Sequence, residues 1–161
     1  MSKKVLLTAF RGSSAEVLIG DWDEYAKIIL PNDKIKDSEL LEETMLKGKY
    51  DYIISFGQKP NIKDKVYVET TARQRTVCIE TIFPWDRLTH IFREVGLFVT
   101  ISDNAGTSFC NQLYYNGLRF IQQSDVKAKM VFIHIPFEKN ISDMELLRRQ
   151  IQVAIGMLEK T

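Results

Sequence analysis

Residues 95–123 read VGLFVTISDNAGTSFCNQLYYNGLRFIQQ and contain a strand, a turn and a helix, the unit from which we predict the fold. The first eight residues, VGLFVTIS, are almost continuously apolar and predict a buried strand. Turn-forming residues follow, and NQLYYNGLRFIQQ then has apolar residues at helical spacing. Cys110 lies at the start of that helix, with Thr107 or Ser108 as the expected N-cap.

The same alternation of apolar strands and amphipathic helices extends to both sides of this segment. Further strands are predicted at 4–10 (KVLLTAF), 50–57 (YDYIISFG), 64–74 (DKVYVETTARQ) and 128–137 (AKMVFIHIPF). Helices are predicted at 84–96, with Gly96 as C-cap, at 142–160, with Ser142 as N-cap, and from Asp37 or Ser38 to Gly48. Residues 15–31 predict no single element. The alternation indicates an α/β layered fold, with a mostly parallel central sheet flanked by helices.

Length and composition exclude several classes of protein. The chain has 161 residues, 45% of them hydrophobic and 27% charged, which predicts one domain over 1–161. A net charge of +1 gives no indication of a nucleic acid or membrane partner. Two cysteines and two histidines without close spacing predict neither a metal site nor a disulfide framework. The first apolar run is too short for a signal peptide, and no run is long enough to span a membrane, so we expect a cytoplasmic protein.

Polar residues at the ends of the predicted strands supply a thiol, an imidazole and a carboxylate. Cys110 follows the strand quoted first, His134 lies near the end of the last strand, and Glu69 follows KVYV. Sites in α/β sheets gather beyond the carboxyl ends of the strands, so these side chains are candidates to converge. A thiolate can attack a carbonyl, an imidazole can transfer the proton, and a carboxylate can orient the imidazole. The first turn of a helix should also favour the Cys110 thiolate.

Each of these residues also has a purely structural interpretation. A free cysteine is more often a buried packing residue than a nucleophile. His134 within an apolar run is compatible with a core histidine, and Glu69 in a strand is compatible with a solvent-facing side chain. Cys78 and His90 have no partner signal and are interpreted as structural. Spacing alone does not decide between these interpretations.

Longer stretches of the chain resemble one family of peptidases. SDNAGTSFCNQLYYNGL at 102–118 resembles an S-N-x-A-G-T-ϕ-x-C-N-x-ϕ-ϕ-Y stretch that carries a nucleophilic cysteine. FIHIPF at 132–137 resembles F-I-H-V-P-Y, which carries a catalytic histidine, and the two residues are 24 apart (134 − 110). SFGQKPNIKDKVYVETTA at 55–72 resembles G-L-G-Q followed by E-R-V-A with a catalytic glutamate, and KVLLTAF resembles V-L-V-T-G-F. The family is pyroglutamyl peptidase I, also called pyrrolidone-carboxylate peptidase.

This resemblance implies an α/β fold and hydrolysis of an N-terminal pyroglutamyl residue, or a related γ-lactam, from a peptide or small amide. The catalytic residues that it implies are Cys110, His134 and Glu69. The substrate-binding residues that it implies are Phe10, Gln58 and Phe109. It implies no metal and no organic cofactor. Members of the family often form homo-oligomers, so a homo-oligomer is left open.

The chain also departs from the family pattern. Family members are longer, and their first strand leads into a Gly-Phe-x-Pro-Phe-Gly-Gly loop whose aromatic residues clamp the pyrrolidone ring. Here Phe10 is followed by RGSS, so one clamping aromatic is missing. Cys110 lies only 41 positions after Glu69 (110 − 69), where the family has a longer segment with an Asp-Asp-Ala-Arg-like stretch. Neither Arg73 nor Arg75 can be aligned with it. These departures leave the substrate open.

Three functions are therefore compared. We favour an active cysteine hydrolase, because the three catalytic residue types are retained while the loops differ. The alternative is a catalytically silent relative that binds a small ligand or a protein. A thiol redox sensor is less favoured, because no second cysteine lies near Cys110 in the sequence. An activated Cys110 should react with iodoacetamide faster than Cys78 at mildly acidic pH, and an inert thiol should not.

Overall fold

The computed structural model describes residues 2–160, which form a central sheet, a small hairpin and helices on both faces of the sheet. The strands in chain order are β1 (Val5–Phe10), β2 (Ala26–Leu30), β3 (Tyr52–Lys59), β4 (Val66–Glu69), β5 (Thr71–Gln74), β6 (Val77–Glu80), β7 (Val99–Ser102) and β8 (Lys129–Pro136). The helices are α1 (Ser14–Ile19), α2 (Lys34–Lys47), α3 (Trp85–Glu94), α4 (Phe109–Gln123) and α5 (Met144–Glu159), with a short 3₁₀ turn at Glu138–Asn140.

The central sheet has six strands in the order β2-β1-β3-β8-β4-β7 among the described residues. Strands β2, β1, β3 and β8 are parallel, whereas β4 pairs with β8 in the antiparallel sense and β7 runs parallel to β4. The predicted α/β fold with a mostly parallel sheet and flanking helices is confirmed. The carboxyl ends of β4 and β7 nevertheless point away from those of β1, β3 and β8.

Two apolar cores separate the sheet from its helices. The first lies against α1, α3 and α5 and includes Val131, Ile133 and Ile135 of β8. The second lies against α2 and α4 and includes Met130 and Phe132 of the same strand. Because successive side chains of a strand point to opposite faces, a central strand covered on both faces must be apolar throughout. This explains why β3 and β8 appear as continuous apolar runs in the sequence.

The structure corrects two predicted helix starts. Helix α2 begins after Asp33, whose side chain accepts the Ile35 and Lys36 amides, and not at Asp37 or Ser38. Its predicted end at Gly48 is confirmed.

Helix α5 begins after Asp143, which caps the Leu146 amide, and not after Ser142. Ser142 instead donates its backbone N–H to Asp64 Oδ1 at 2.7 Å. Ser108 precedes α4 as predicted, without a side-chain capping bond.

Two strand predictions are wrong in extent. The predicted buried strand at 95–102 is reduced to β7, an edge strand with one neighbour, and Phe98 before it is 75% exposed. The predicted single strand at 64–74 is two strands, because the chain leaves the central sheet after Glu69 and forms a hairpin from β5 and β6. Residues 15–31, which predicted no single element, contain most of α1 and all of β2.

Candidate active site

The structure brings Glu69 and His134 into direct contact. Glu69 of β4 lies opposite Phe132 of β8, two residues before His134 and therefore on the same face of the sheet. Its Oε2 lies 2.7 Å from Nδ1 of His134, and both side chains are buried. The Tyr114 hydroxyl donates to the Glu69 carbonyl at 2.7 Å and ties this strand end to α4. The carboxylate is therefore fixed where it can orient the imidazole through Nδ1, which leaves Nε2 available for proton transfer.

Cys110 lies in the first turn of α4, against the strand next to His134. A Cβ atom added to Gly57 would lie 2.6 Å from Cys110 Sγ, so the thiol rests directly on that glycine. Gly57 is the parallel partner of His134 in the register of β3 and β8. Paired residues project to the same face of a sheet, so the thiol rests on the strand next to that of the imidazole, on the same face of the sheet.

The surroundings of Cys110 keep its thiol protonated. Burial, and after it the negative charge of Glu69, raise the pKa of the Cys110 thiol to about 12. The Cys110 backbone N–H and the Lys59 ammonium act in the opposite direction with smaller effects. The backbone N–H at the start of α4 does favour the thiolate, as predicted from the sequence, but its effect on the pKa is smaller than those of burial and Glu69. The helix terminus is outweighed by removal of the thiol from water.

Aromatic side chains cluster near Cys110. The rings of Phe10 and Phe109 meet edge to face, with centroids 6.5 Å apart. Phe132 lies 6.5 Å from Phe10 and 5.0 Å from the His134 ring. Phe10 is buried, whereas Phe109 is partly exposed. The structure therefore brings together Phe10 and Phe109, two of the three predicted substrate-binding residues, beside the thiol.

Gln58 is not brought to the same place. Its register partner on β8 is Ile135, which belongs to the core on the opposite face of the sheet from Phe132. Its Oε1 accepts the backbone N–H of Ser14 at the start of α1, at 2.9 Å. The Gln58 side chain therefore holds α1 against β3, and its role in substrate binding stays a prediction.

Sequence reasoning missed Asn111 and Lys59. The Asn111 side chain accepts from the backbone N–H of Arg73 at 3.0 Å and donates to its carbonyl at 2.7 Å, which ties the hairpin to α4 directly after Cys110. The Arg73 guanidinium in turn lies 3.5 Å from Asp103 in the loop before α4. Lys59 lies two residues after Gly57 on β3, so the period of a strand could have placed it on the face of the thiol.

Neither a metal cluster nor a membrane-spanning helix is found in the described part of the chain. Residues 2–160 hold no group of three or more His, Cys, Asp or Glu side chains that could bind a metal ion. Within the same residues, no helix combines the length and the apolar character that crossing a membrane requires.

Comparison with known proteins identifies the family. A sequence model described as pyroglutamyl peptidase matches residues 61–146. Pyrrolidone-carboxylate peptidase 2 of Streptococcus pneumoniae is 25% identical over 182 aligned residues, which cover 94% of this chain and 84% of that protein. A pyrrolidone-carboxylate peptidase of Bacillus cereus is 27% identical over 170 residues, covering 84% and 79%.

Solved structures with the same fold come from the same group of proteins. Pyroglutamyl peptidase I of Bacillus amyloliquefaciens superposes with a TM-score of 0.82 at 21% identity, over 95% of each chain. The pyrrolidone carboxyl peptidase of Fervidobacterium islandicum gives a TM-score of 0.85 at 18% identity, over 98% of this chain and 99% of that one. Fold and sequence together define an α/β peptidase. The chain belongs to the pyroglutamyl peptidase family.

Proposed function

We propose that the protein is a cysteine peptidase that removes an N-terminal pyroglutamyl group, or a related γ-lactam, with Cys110 as nucleophile, His134 as acid–base and Glu69 as orienting carboxylate. The observation that carries this proposal is the buried contact of 2.7 Å between Glu69 and His134, on the same face as the thiol that rests on Gly57. Membership of the pyroglutamyl peptidase family supports the reaction class.

The mechanism begins with a protonated thiol. Because burial and Glu69 raise the pKa of Cys110 to about 12, the proton leaves for Nε2 of His134 as the sulfur attacks the lactam-linked carbonyl. Glu69, which accepts from Nδ1, stabilises the imidazolium that forms. Backbone N–H groups in the first turn of α4 are available to the oxyanion, because such groups lack partners within the helix.

Two half-reactions complete the turnover. His134 donates its proton to the leaving amine, and the C–N bond breaks to leave a thioester on Cys110. Water then gives a proton to His134 and attacks the thioester, which releases pyroglutamate and returns the thiol. Each step moves one proton through the same imidazole, and none requires a metal or an organic cofactor.

The aromatic pair beside the thiol supports recognition of a small ring with apolar CH2 groups, such as that of a γ-lactam. Phe10 and Phe109 meet edge to face, and Phe10 also contacts Phe132. Because RGSS replaces the aromatic loop expected after the first strand, Phe109 takes the place of the missing clamping ring. Removing one such contact changes selectivity by about 1–3 kcal/mol, so the pocket is expected to discriminate between lactams.

The test is release of the fluorophore from pyroglutamyl-aminomethylcoumarin. Wild type and Cys78→Ser are expected to hydrolyse it, whereas Cys110→Ala and Cys110→Ser should lose at least about 10³-fold in kcat with unchanged circular dichroism. Cys78 is the matched control, since it is the other free cysteine and lies exposed on the hairpin. Turnover retained by both Cys110 variants would contradict the mechanism.

One observation favours the alternative of a catalytically silent relative that binds a small ligand or a protein. A thiol whose pKa is raised to about 12 is nearly fully protonated at neutral pH. If folded wild-type protein hydrolyses no pyroglutamyl substrate, binding of pyroglutamate or a pyroglutamyl peptide, measured by calorimetry, separates the two functions. Binding without turnover would support the silent relative.

A further inference from the structure

Lys59 stands on the same face of the sheet as the proposed catalytic residues. It lies at the end of β3, two residues after Gly57, and side chains two apart on a strand project to the same side. Its register partner is Pro136 of β8, two residues after His134. The Lys59 ammonium reaches Glu69 of β4, the strand beyond β8, and its Nζ lies 3.8 Å from Oε2.

The Glu69 carboxylate has an incomplete set of partners without this lysine. Glu69 is fully buried, and among the described residues its Oε1 has no hydrogen-bond partner. Its Oε2 is shared between His134 Nδ1 at 2.7 Å and Lys59 Nζ at 3.8 Å. A buried carboxylate is strongly disfavoured unless an opposite charge compensates it. When the imidazole is neutral, Lys59 is the cation that does so.

A second contact fixes where the ammonium lies. The Lys59 Nζ stands over the Tyr67 ring, 4.5 Å from its centroid. Tyr67 is the antiparallel partner of His134, and it is also contacted by Lys65, whose Nζ is 5.2 Å from the centroid. Lys59 is thus held by an aromatic face on one side and by the carboxylate on the other. The Lys59 side chain is only 30% exposed, unlike a free surface lysine.

We propose that Lys59 is a further positioning residue of this site, which holds the Glu69 carboxylate in place for His134 and supplies one positive charge on the face of the sheet against which the Cys110 thiol lies. The proposal rests on the proposed function for its catalytic meaning, but its effect on the thiol does not require turnover. Lys59 lowers the pKa of Cys110, against the larger raising effects of burial and of Glu69.

The charged and titratable groups around Cys110 come from every element packed against it. They are Lys59 on β3, Glu69 on β4, His134 on β8, Tyr114 on α4 itself, Arg73 on β5 with its partner Asp103, and Lys34, whose Nζ is 5.6 Å from the Phe109 ring. Of the cations in this set, Lys59 is the one that also contacts the Glu69 carboxylate. Removing Lys59 should therefore change both the reactivity of the Cys110 thiol and the orientation of the His134 imidazole.

The test compares Lys59→Met with Lys59→Arg and with Lys65→Met, all in a Cys78→Ser background. Methionine keeps an unbranched apolar side chain and removes the charge, whereas arginine keeps the charge. Lys65→Met is the matched control, because it removes a cation from the same Tyr67 ring. Circular dichroism and thermal melting establish that each variant is folded, and mass spectrometry follows alkylation of Cys110 by iodoacetamide between pH 7 and 10.

Loss of the Lys59 charge is expected to lower the thiolate fraction of Cys110 by about tenfold at each pH. About tenfold less thiolate, partly offset by its greater nucleophilicity, gives alkylation about threefold slower at each pH in Lys59→Met. Lys59→Arg should return to within about 1.5-fold of wild type, and Lys65→Met should not differ from it. With a hydrolysed substrate, Lys59→Met should lower kcat and leave KM unchanged.

Two results would overturn the proposal. One is a Lys59→Met variant that is folded and alkylates at the wild-type rate, and the other is an equal loss in Lys65→Met, which would indicate a general surface-charge effect. The two proposals fail separately. If the wild type hydrolyses no substrate but the lysine variants show the expected alkylation rates, the peptidase proposal is refuted and the proposal for Lys59 is retained. If the wild type hydrolyses the substrate but Lys59→Met alkylates at the wild-type rate, the peptidase proposal is retained and the proposal for Lys59 is refuted.

Discussion

Substitution of Gly57 by alanine tests the placement of the thiol directly. The added Cβ would lie 2.6 Å from Cys110 Sγ and 2.8 Å from Cζ of the buried Phe132 ring. Neither neighbour can move away easily, because the ring is packed in the core and the thiol is on a short side chain at the start of a helix. Relief of the overlap requires Sγ to move by about 1 Å, since favourable contact begins at about 3.5 Å.

The displacement predicts a larger effect on activity than on stability. A misplacement of about 1 Å can cost about 10²-fold in rate, so kcat/KM should fall about 100-fold in Gly57→Ala. Overpacking of the core adds about 1–3 kcal/mol of destabilisation, which lowers Tm by roughly 3–12 °C for a chain of this size. The KM should change less than kcat, because the aromatic pair that is proposed to bind substrate is not touched.

Hydrolysis of pyroglutamyl-aminomethylcoumarin and a thermal melt measure both effects on the same protein. Gly156→Ala is the matched control, because a Cβ at this α5 position would meet no atom within 4 Å. It should keep wild-type kcat/KM and gain about 0.5–1 kcal/mol from helix propensity. A Gly57→Ala variant with kcat/KM within about twofold of wild type would refute the reasoning, because the thiol could not then rest on Gly57 in the active state.

Two further predictions concern the charges of the site. Glu69→Gln should lower kcat by about 10²–10⁴-fold with the fold intact by circular dichroism, because an amide cannot stabilise the His134 imidazolium as a carboxylate does, and a loss below about tenfold would contradict the orienting role. The pKa of Cys110 near 12 leaves a thiolate fraction of about 10⁻⁵ at pH 7, so its alkylation should be about 100-fold slower than that of an ordinary cysteine, after allowing for its higher nucleophilicity. The logarithm of that rate should rise by about one per pH unit up to pH 10, and a plateau below pH 8 would contradict a protonated resting thiol.

The alkylation prediction reverses an expectation from the sequence. The start of a helix after a turn indicates a stabilised thiolate, because the free N–H groups and the helix dipole favour negative charge. The sequence does not show how deeply Cys110 is buried or how close it lies to Glu69. Burial and the charge of Glu69 are the two largest effects on the pKa of its thiol. A slow Cys110 therefore does not by itself indicate an inert protein. Rapid proton transfer to His134 during attack is enough for catalysis.

The central strands were predictable because burial on both faces leaves a strong signal. Both β3 and β8 lie inside the sheet, so most of their residues are apolar and few alternatives fit. The edge strand β7 gave the opposite result. Its apolar residues predicted burial, yet an edge strand has one hydrogen-bonded neighbour, and Ile101 and Phe98 remain exposed. Composition reports hydrophobicity, whereas burial depends on which strands become neighbours.

The meeting of Glu69 and His134 could be proposed from the sequence, but the way in which they meet could not. The carboxyl ends of two neighbouring strands meet at one edge of a sheet only if the strands are parallel. Because β4 is antiparallel to β8, Glu69 and His134 do not meet in this way. Glu69 reaches the imidazole from the middle of β8, through an antiparallel register in which it lies opposite Phe132. A shift of that register by one residue would turn Glu69 to the other face. The resemblance in the sequence indicated the partners, and only the pairing of the strands accounts for their contact.

The same pairing accounts for how a shortened chain can keep this geometry. His134, Gly57 and Glu69 lie on three adjacent strands, and Cys110 lies on the first turn of the helix that covers them. Cys110 lies 41 positions after Glu69 (110 − 69), and the segment between them needs only to complete the edge of the sheet and return the chain to α4. Asn111, which pairs with the Arg73 main chain, fixes that return one residue after the thiol. The short connection therefore anchors α4 at the position where the proposed nucleophile must be held.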